Sequence, residues 1–211
     1  MKQGKIAESV LKRSVFKQLH LKRPDVLLAA GIGEDCAAFA VAEDEVAVIS
    51  ADPVIWEDSL DGRCAVHANL NDLAAGGAEP VGLMLTALLP PEIEEAQMRQ
   101  MVQLIAQECE PLQVQILGGH TEVTDAVKRP VVSIAAVGKA KKGMLSTTTG
   151  AKPGDDIVVT KWIALEATAK LARSRREALL SRYPRHLLDD AERFQQYFSV
   201  IPEAATAMKS G

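Results

Sequence analysis

From residue 45 the run EVAVISAD alternates Val46, Val48 and Ser50 with Ala47, Ile49 and Ala51 and stops at Asp52. That pattern predicts a strand buried on both faces. CAVHANLNDLAAGG, residues 64–77, is rich in helix formers and ends on Gly76 and Gly77, so it reads as a helix with a glycine stop. VGLMLTALL predicts the next strand. In PPEIEEAQMRQMVQLIAQEC the positions Met98, Met101, Val102, Ile105 and Cys109 repeat at helical spacing, with Pro90 and Pro91 marking the start. VQILGG and PVVSIAAVGKA are strand-like and are separated by the polar HTEVTDAVKR, so GGHTEVTD reads as a turn.

A break follows at KKGMLSTTTGAKPGDD, where glycine, proline and threonine cluster. Beyond it DIVVTKW predicts a strand, IALEATAKLA a helix, and Leu187, Ala191, Phe194 and Phe198 the apolar stripe of another helix. One strand with two or three helices makes a poor independent core, so a second domain at 155–211 is expected to be incomplete. The remaining divisions are a basic arm at 1–30, loosely attached, a first domain at 31–142 and a linker at 143–154.

Composition changes this picture little. The 211 residues are 47% hydrophobic, and the three cysteines Cys36, Cys64 and Cys109 have no C-x-x-C spacing, which favours buried free thiols over a disulfide framework or a zinc site. No apolar run reaches membrane-spanning length and the N-terminus lacks the apolar stretch of a signal peptide, so a soluble cytoplasmic protein is expected.

Charge changes it more. The net charge of -4 conceals a segment, Val26 to Val127, with eighteen acids against two basic residues, Arg63 and Arg99. Such a segment is a poor partner for nucleic acid. If it binds a phosphate compound, divalent cations must intervene.

Four short segments place acids or glycines at the ends of predicted elements: GIGEDC, SADP, NLNDLAAGGAEP and GGHTEVT. Asn69 and Asp72, three residues apart on a helix, share a face, and small alanines surround them. They suit either a metal site or local capping. Asp35 and Asp52 lie at turn and strand boundaries, and one or two carboxylates plus substrate phosphates are what Mg²⁺ ordinarily takes.

In this order the four segments resemble the superfamily of AIR synthase, thiamine-monophosphate kinase, selenophosphate synthetase and the hydrogenase-maturation protein HypE. The HypE-like group is the nearest resemblance, carried by GKIAESVLKRSVFKQL, AVHANLNDLAAGGAEP and LGGHTEVTDAVKRPVVSIAAVG. The resemblance implies an α+β fold, with a mixed N-terminal sheet flanked by helices and a second α+β domain. It also implies a homodimer formed through the sheet, with ATP and Mg²⁺ near the subunit junction. The implied chemistry is phosphorylation of an amide or carbonyl oxygen, or a similar group, on a small-molecule or protein acceptor.

Carried over by position, Asp35, Asp52 and Asp72 would hold Mg²⁺. Ser50, Asn69, Gly118, Gly119, His120, Thr121 and Glu122 would line the ATP site, and Lys2, Lys5, Lys12, Arg13 and Lys17 of the arm could cover the phosphates. The kinases of the group carry an acid where this chain has His120; Glu122 could take its place, or His120 could contact phosphate. HypE works through a C-terminal cysteine, whereas the last cysteine here is Cys109 and the chain ends MKSG. Two alternatives stay open: a thiamine-monophosphate kinase, and a catalytically inactive nucleotide-binding dimerisation module.

Overall fold

The computed structural model describes residues 3–32 and 36–210. Chain order begins with β1 (Gly4–Lys5), the helical turn α1 (Glu8–Val10), which continues as irregular helical turns to Gln18, then the short β2 (Val26–Leu28) and β3 (Ala38–Phe39). The main body follows as β4 (Glu45–Ile55), α2 (Ser59–Ala75), β5 (Glu79–Leu89), α3 (Glu95–Cys109), β6 (Gln115–Val123) and β7 (Val131–Lys141). Helices α4 (Leu165–Ser174), α5 (Arg176–Leu180), α6 (Arg185–Arg193) and α7 (Ile201–Ser210) complete the chain.

One five-stranded mixed sheet, ordered β1-β6-β5-β7-β4, organises the molecule. β5 and β6 run parallel, joined across α3, while β7 is antiparallel to both β5 and β4. Along β7 the buried residues Val132, Ile134 and Ala136 face the helices and join Leu83, Leu85, Leu70, Leu73, Met98 and Ile105 in the main core. Among the described residues no helix lies over the other sheet face: Ile49 is 67% and Ile55 59% exposed. β4 is therefore covered on one face only, where the alternation had predicted two. The predicted pattern was apolar on both sides, but the chain supplies only one layer of helices.

α2 begins with a capping box in which the Asp58 side chain accepts from the helix backbone and Asp61 accepts from the Asp58 amide (3.0 Å). α2 is buried on two opposite sides, by the sheet and by the C-terminal helices, which explains why its sequence lacks a polar face. Met98, Met101, Val102, Ile105 and Cys109 are the buried stripe of α3, as their spacing predicted. The helix starts at Glu95, later than Pro90, because Glu94 and Gln97 form its capping box.

Three other expectations are corrected. GGHTEV is part of β6, not a turn; the chain turns after Val123. DIVVTKW forms no strand, and Ile157, Val158 and Val159 stand 94%, 81% and 61% exposed, because no neighbouring strand is there to pair with it. In α6 the buried residue is Leu188 and not Leu187, since the helix gives way to a tighter turn at Phe194–Tyr197 that rotates the later aromatics.

The N-terminal arm is docked rather than loose. Arg13 donates to both oxygens of Glu95 on α3 (2.6 and 2.5 Å), Ser14 Oγ donates to the same carboxylate (2.5 Å), and Ser14 is fully buried. These donors hold the Glu95 carboxyl down at about 2. The expected buried thiols are found at Cys64 and Cys109, both pushed up to about 12 chiefly by burial, whereas Cys36 is exposed.

Basic residues outside the acidic segment engage acids at its border, Asp25, and within it, Glu79. Arg23 forks onto Asp25 (2.8 Å to each oxygen), reaches Glu79 (3.1 Å), and Lys139 adds a further contact to Asp25 (2.9 Å). The Arg23 hydrogen bonds hold the Asp25 carboxyl far below its ordinary 3.8. Because the folded value is the lower one, the stabilisation is complete above 3.8 and drains away as pH falls below it. Asp25→Asn is expected to cost about 2 kcal/mol at neutral pH and to flatten the acid limb of stability, measured by urea unfolding at pH 7 and at pH 3.

Candidate functional site

β4 and α2 bring four of the expected residues together. Ser50 Oγ donates to Asp72 Oδ2 (2.7 Å), and the Asp52 amide donates to Asn69 Oδ1 (3.0 Å). The spacing that put Asn69 and Asp72 on one helix face thus aims both at the edge strand. Asn69 is fully buried, and its Nδ2 donates to Ala65 O (3.0 Å), so both ends of its amide are engaged within the protein. It fixes the register between helix and strand. Asp52 is exposed, and its carboxylate has no hydrogen-bond or ion-pair partner among the described residues.

The glycine segment forms a second wall. Gly119 has φ +146°, and an added Cβ would lie 2.6 Å from the Leu85 carbonyl carbon of the neighbouring strand. Only glycine fits there. β1 pairs with β6 at Val123 and Glu122 alone, and Ile6 N–H reaches Thr121 O (3.3 Å). On that side β6 has no strand neighbour from Gln115 to His120 among the described residues. Its edge borders a cavity of about 590 Å³ whose walls include Lys5, Gly31, Cys36, Gly119, His120 and Thr121. Lys5 is one of the arm residues expected near the phosphates, whereas Cys36 carries no spacing signal in the sequence beyond its place in the GIGEDC segment.

The two walls do not touch. Asp52, Ile134, Leu85 and Gly119 lie in one row across β4, β7, β5 and β6. At about 4.8 Å per strand, Asp52 and Gly119 are roughly 14 Å apart. His120 falls in the row of Thr86, Ser133 and Pro53, on the open face, where its Nε2 meets Glu122 Oε2 (3.1 Å). His120 and Glu122 are therefore a pair with each other and not a substitute ligand beside Asp52 within one chain. Asp35 lies outside the described residues, and among those described no group of three or more potential metal ligands forms.

Residues 33–140 match the family model described as AIR synthase related protein, N-terminal domain. The thiamine-monophosphate kinase of Escherichia coli K12 is 33% identical over 154 residues, 69% of this chain and 45% of that protein. The carbamoyl dehydratase HypE of Cupriavidus necator is 30% identical over 154 residues, 70% of this chain and 43% of that protein. The chain spans less than half the length of both. Among solved structures, thiamine-monophosphate kinase from Stenotrophomonas maltophilia superposes with a TM-score of 0.73 at 26% identity, covering 97% of this chain and 65% of that one. HypE in complex with ATP gives 0.58 at 19% identity over 69% of this chain and 43% of that one, a likeness of fold.

Proposed function

Because the chain belongs to the AIR synthase-related family through the domain at residues 33–140, we propose that it binds Mg-ATP and activates an acceptor by phosphorylation. The acceptor group is an amide or carbonyl oxygen, or a similar nucleophile, of a small molecule or a protein.

The observation that carries this reading is the tie between β4 and α2, in which Ser50 fixes the Asp72 carboxylate and Asn69 holds the Asp52 amide, so that two exposed acids, one of them without a side-chain partner among the described residues, come from the same strand–helix junction. Two carboxylates with phosphate oxygens and water make an ordinary Mg²⁺ environment. Asp35 is the natural third contributor. The metal, when bound, offsets the negative charge of the triphosphate. Asp52 and Asp72 hold it, and Asn69 keeps the strand and helix in register. The edge amide of Gly119 can donate to phosphate oxygens, with Gly118, Lys5 and Thr121 in the same cavity. An extended ligand is needed to reach from one wall to the other.

The open sheet face, with Ile49 and Ile55 exposed, is suited to a second copy of the chain, which would place His120 and Glu122 near the junction. Ile49→Glu is expected to convert a dimer to a monomer in sedimentation velocity runs at micromolar concentration; a wild-type protein that sediments as a monomer sinks the dimer.

A thiamine-monophosphate kinase is the second reading, favoured by the superposition over 97% of the chain. Isothermal titration with Mg-ATP tests both enzyme readings, since absence of binding by the intact protein removes them together. Phosphate transfer to thiamine monophosphate would select the second. Binding without turnover on any acceptor points to a nucleotide-binding module.

A further inference from the structure

α2 carries two stripes at helical spacing, and only one faces the candidate site. Ala65, Asn69 and Asp72 turn toward β4, while Asp58, Asp61, Cys64, His67 and Asn71 turn toward the C-terminal helices. Along the second stripe Arg173 pairs with Asp58 (2.9 Å), Lys170 lies 3.7 Å from Asp61, and Cys64 packs with Ala169 and Phe198. The His67 ring meets Phe198 edge-on at 6.5 Å. Near its end Asn71 makes two hydrogen bonds to main chain: Nδ2 donates to Phe198 O, and Oδ1 accepts from Val200 N–H, both at 2.8 Å.

That amide satisfies the carbonyl and the N–H just before α7, and among the described residues no other side chain on α2 grips the C-terminal main chain in this way. It sits between Asn69 and Asp72 in sequence, with its partners 127 and 129 residues away. A rigid helix transmits a displacement of one face to the other. We propose that Asn71 is a positioning residue for the candidate site: by clamping the C-terminal layer onto the back of α2, it holds Asn69 and Asp72 against β4. Order in the C-terminal helices and ligand affinity at Asp52 and Asp72 are then linked, and the linkage runs both ways.

The test has one arm that needs no nucleotide and a second that rests on the Mg-ATP reading. In the first, residue-resolved amide exchange is compared between wild type and Asn71→Ala. The Asp52 amide is a built-in reporter because its acceptor is Asn69. Exchange is expected to quicken about tenfold in α7 and several-fold at Asp52. In the second arm, Mg-ATP affinity falls about fivefold in the variant, and Mg-ATP slows exchange in α7 of the wild type only.

Asn71→Asp serves if Asn71→Ala does not fold, since it keeps the acceptor for Val200 N–H and loses the donor to Phe198 O. Faster exchange confined to α7, with Asp52 protected as in wild type, would mean that Asn71 only anchors the C-terminus and would overturn the proposal. If the wild type binds no Mg-ATP, the function proposed above fails while the first arm still decides this one.

Discussion

Asp72→Asn is expected to lower Mg-ATP affinity by on the order of 100-fold, ~2.7 kcal/mol, while leaving the unliganded protein as stable as before or slightly more so. The two effects have separate causes. Asp72 is in the last turn of α2, which ends at Ala75 and has no basic residue there. A negative charge at that end opposes the helix dipole and costs roughly 0.3–1 kcal/mol. Removing the charge relieves that cost, and asparagine can still accept from Ser50 Oγ. What is lost is the anionic ligand for the metal. Calorimetric titration together with a thermal melt without ligand measures both. An unchanged affinity would remove Asp72 from the metal site, and a large loss of stability would make it a structural residue.

Gly119→Ala is expected to destabilise the fold by about 3–5 kcal/mol, enough to leave the variant largely insoluble or unfolded at 37 °C. Two causes act together. The backbone at φ +146° disfavours any side chain, and the new methyl would press into the Leu85 carbonyl group of the adjacent strand. Leu85 cannot give way, because it is itself paired with Ile134 on its other side. Gly118→Ala is the control: its added carbon meets only the flexible Met84 side chain, 3.3 Å away, and should cost under about 1 kcal/mol. Urea unfolding of the pair reads the difference. Equal stability of the two variants would contradict the conformation given to Gly119.

How much was legible follows from these particulars. The strands at 45–52, 81–89 and 131–141 and the stripe of α3 could be read because each buries a face whose period is set by its own backbone. Asn69 and Asp72 were legible for the same reason, as neighbours on a helix. The glycines of β6 were misread as a turn because glycine usually marks one; here it answers to the nearness of Leu85, a contact 34 residues distant in sequence that no local pattern contains. DIVVTKW has the alternation of a strand, yet a strand is a relation between two segments, and its own residues cannot supply the second. The separation of His120 from Asp52 onto opposite sheet faces depended on register, which a single shifted residue would invert.

The exposed run at 157–159 also bears on how the protein behaves in solution. With Thr160 the run holds four consecutive β-branched residues and no proline, a composition prone to intermolecular β-stacking. Asp155 and Asp156 precede the run, and their like charges oppose the in-register approach of two such segments, while Lys161 beyond it is engaged with Glu203. That protection depends on ionised carboxylates and weakens in acid or at high salt, which makes colloidal lifetime, and not only folding stability, a function of the medium.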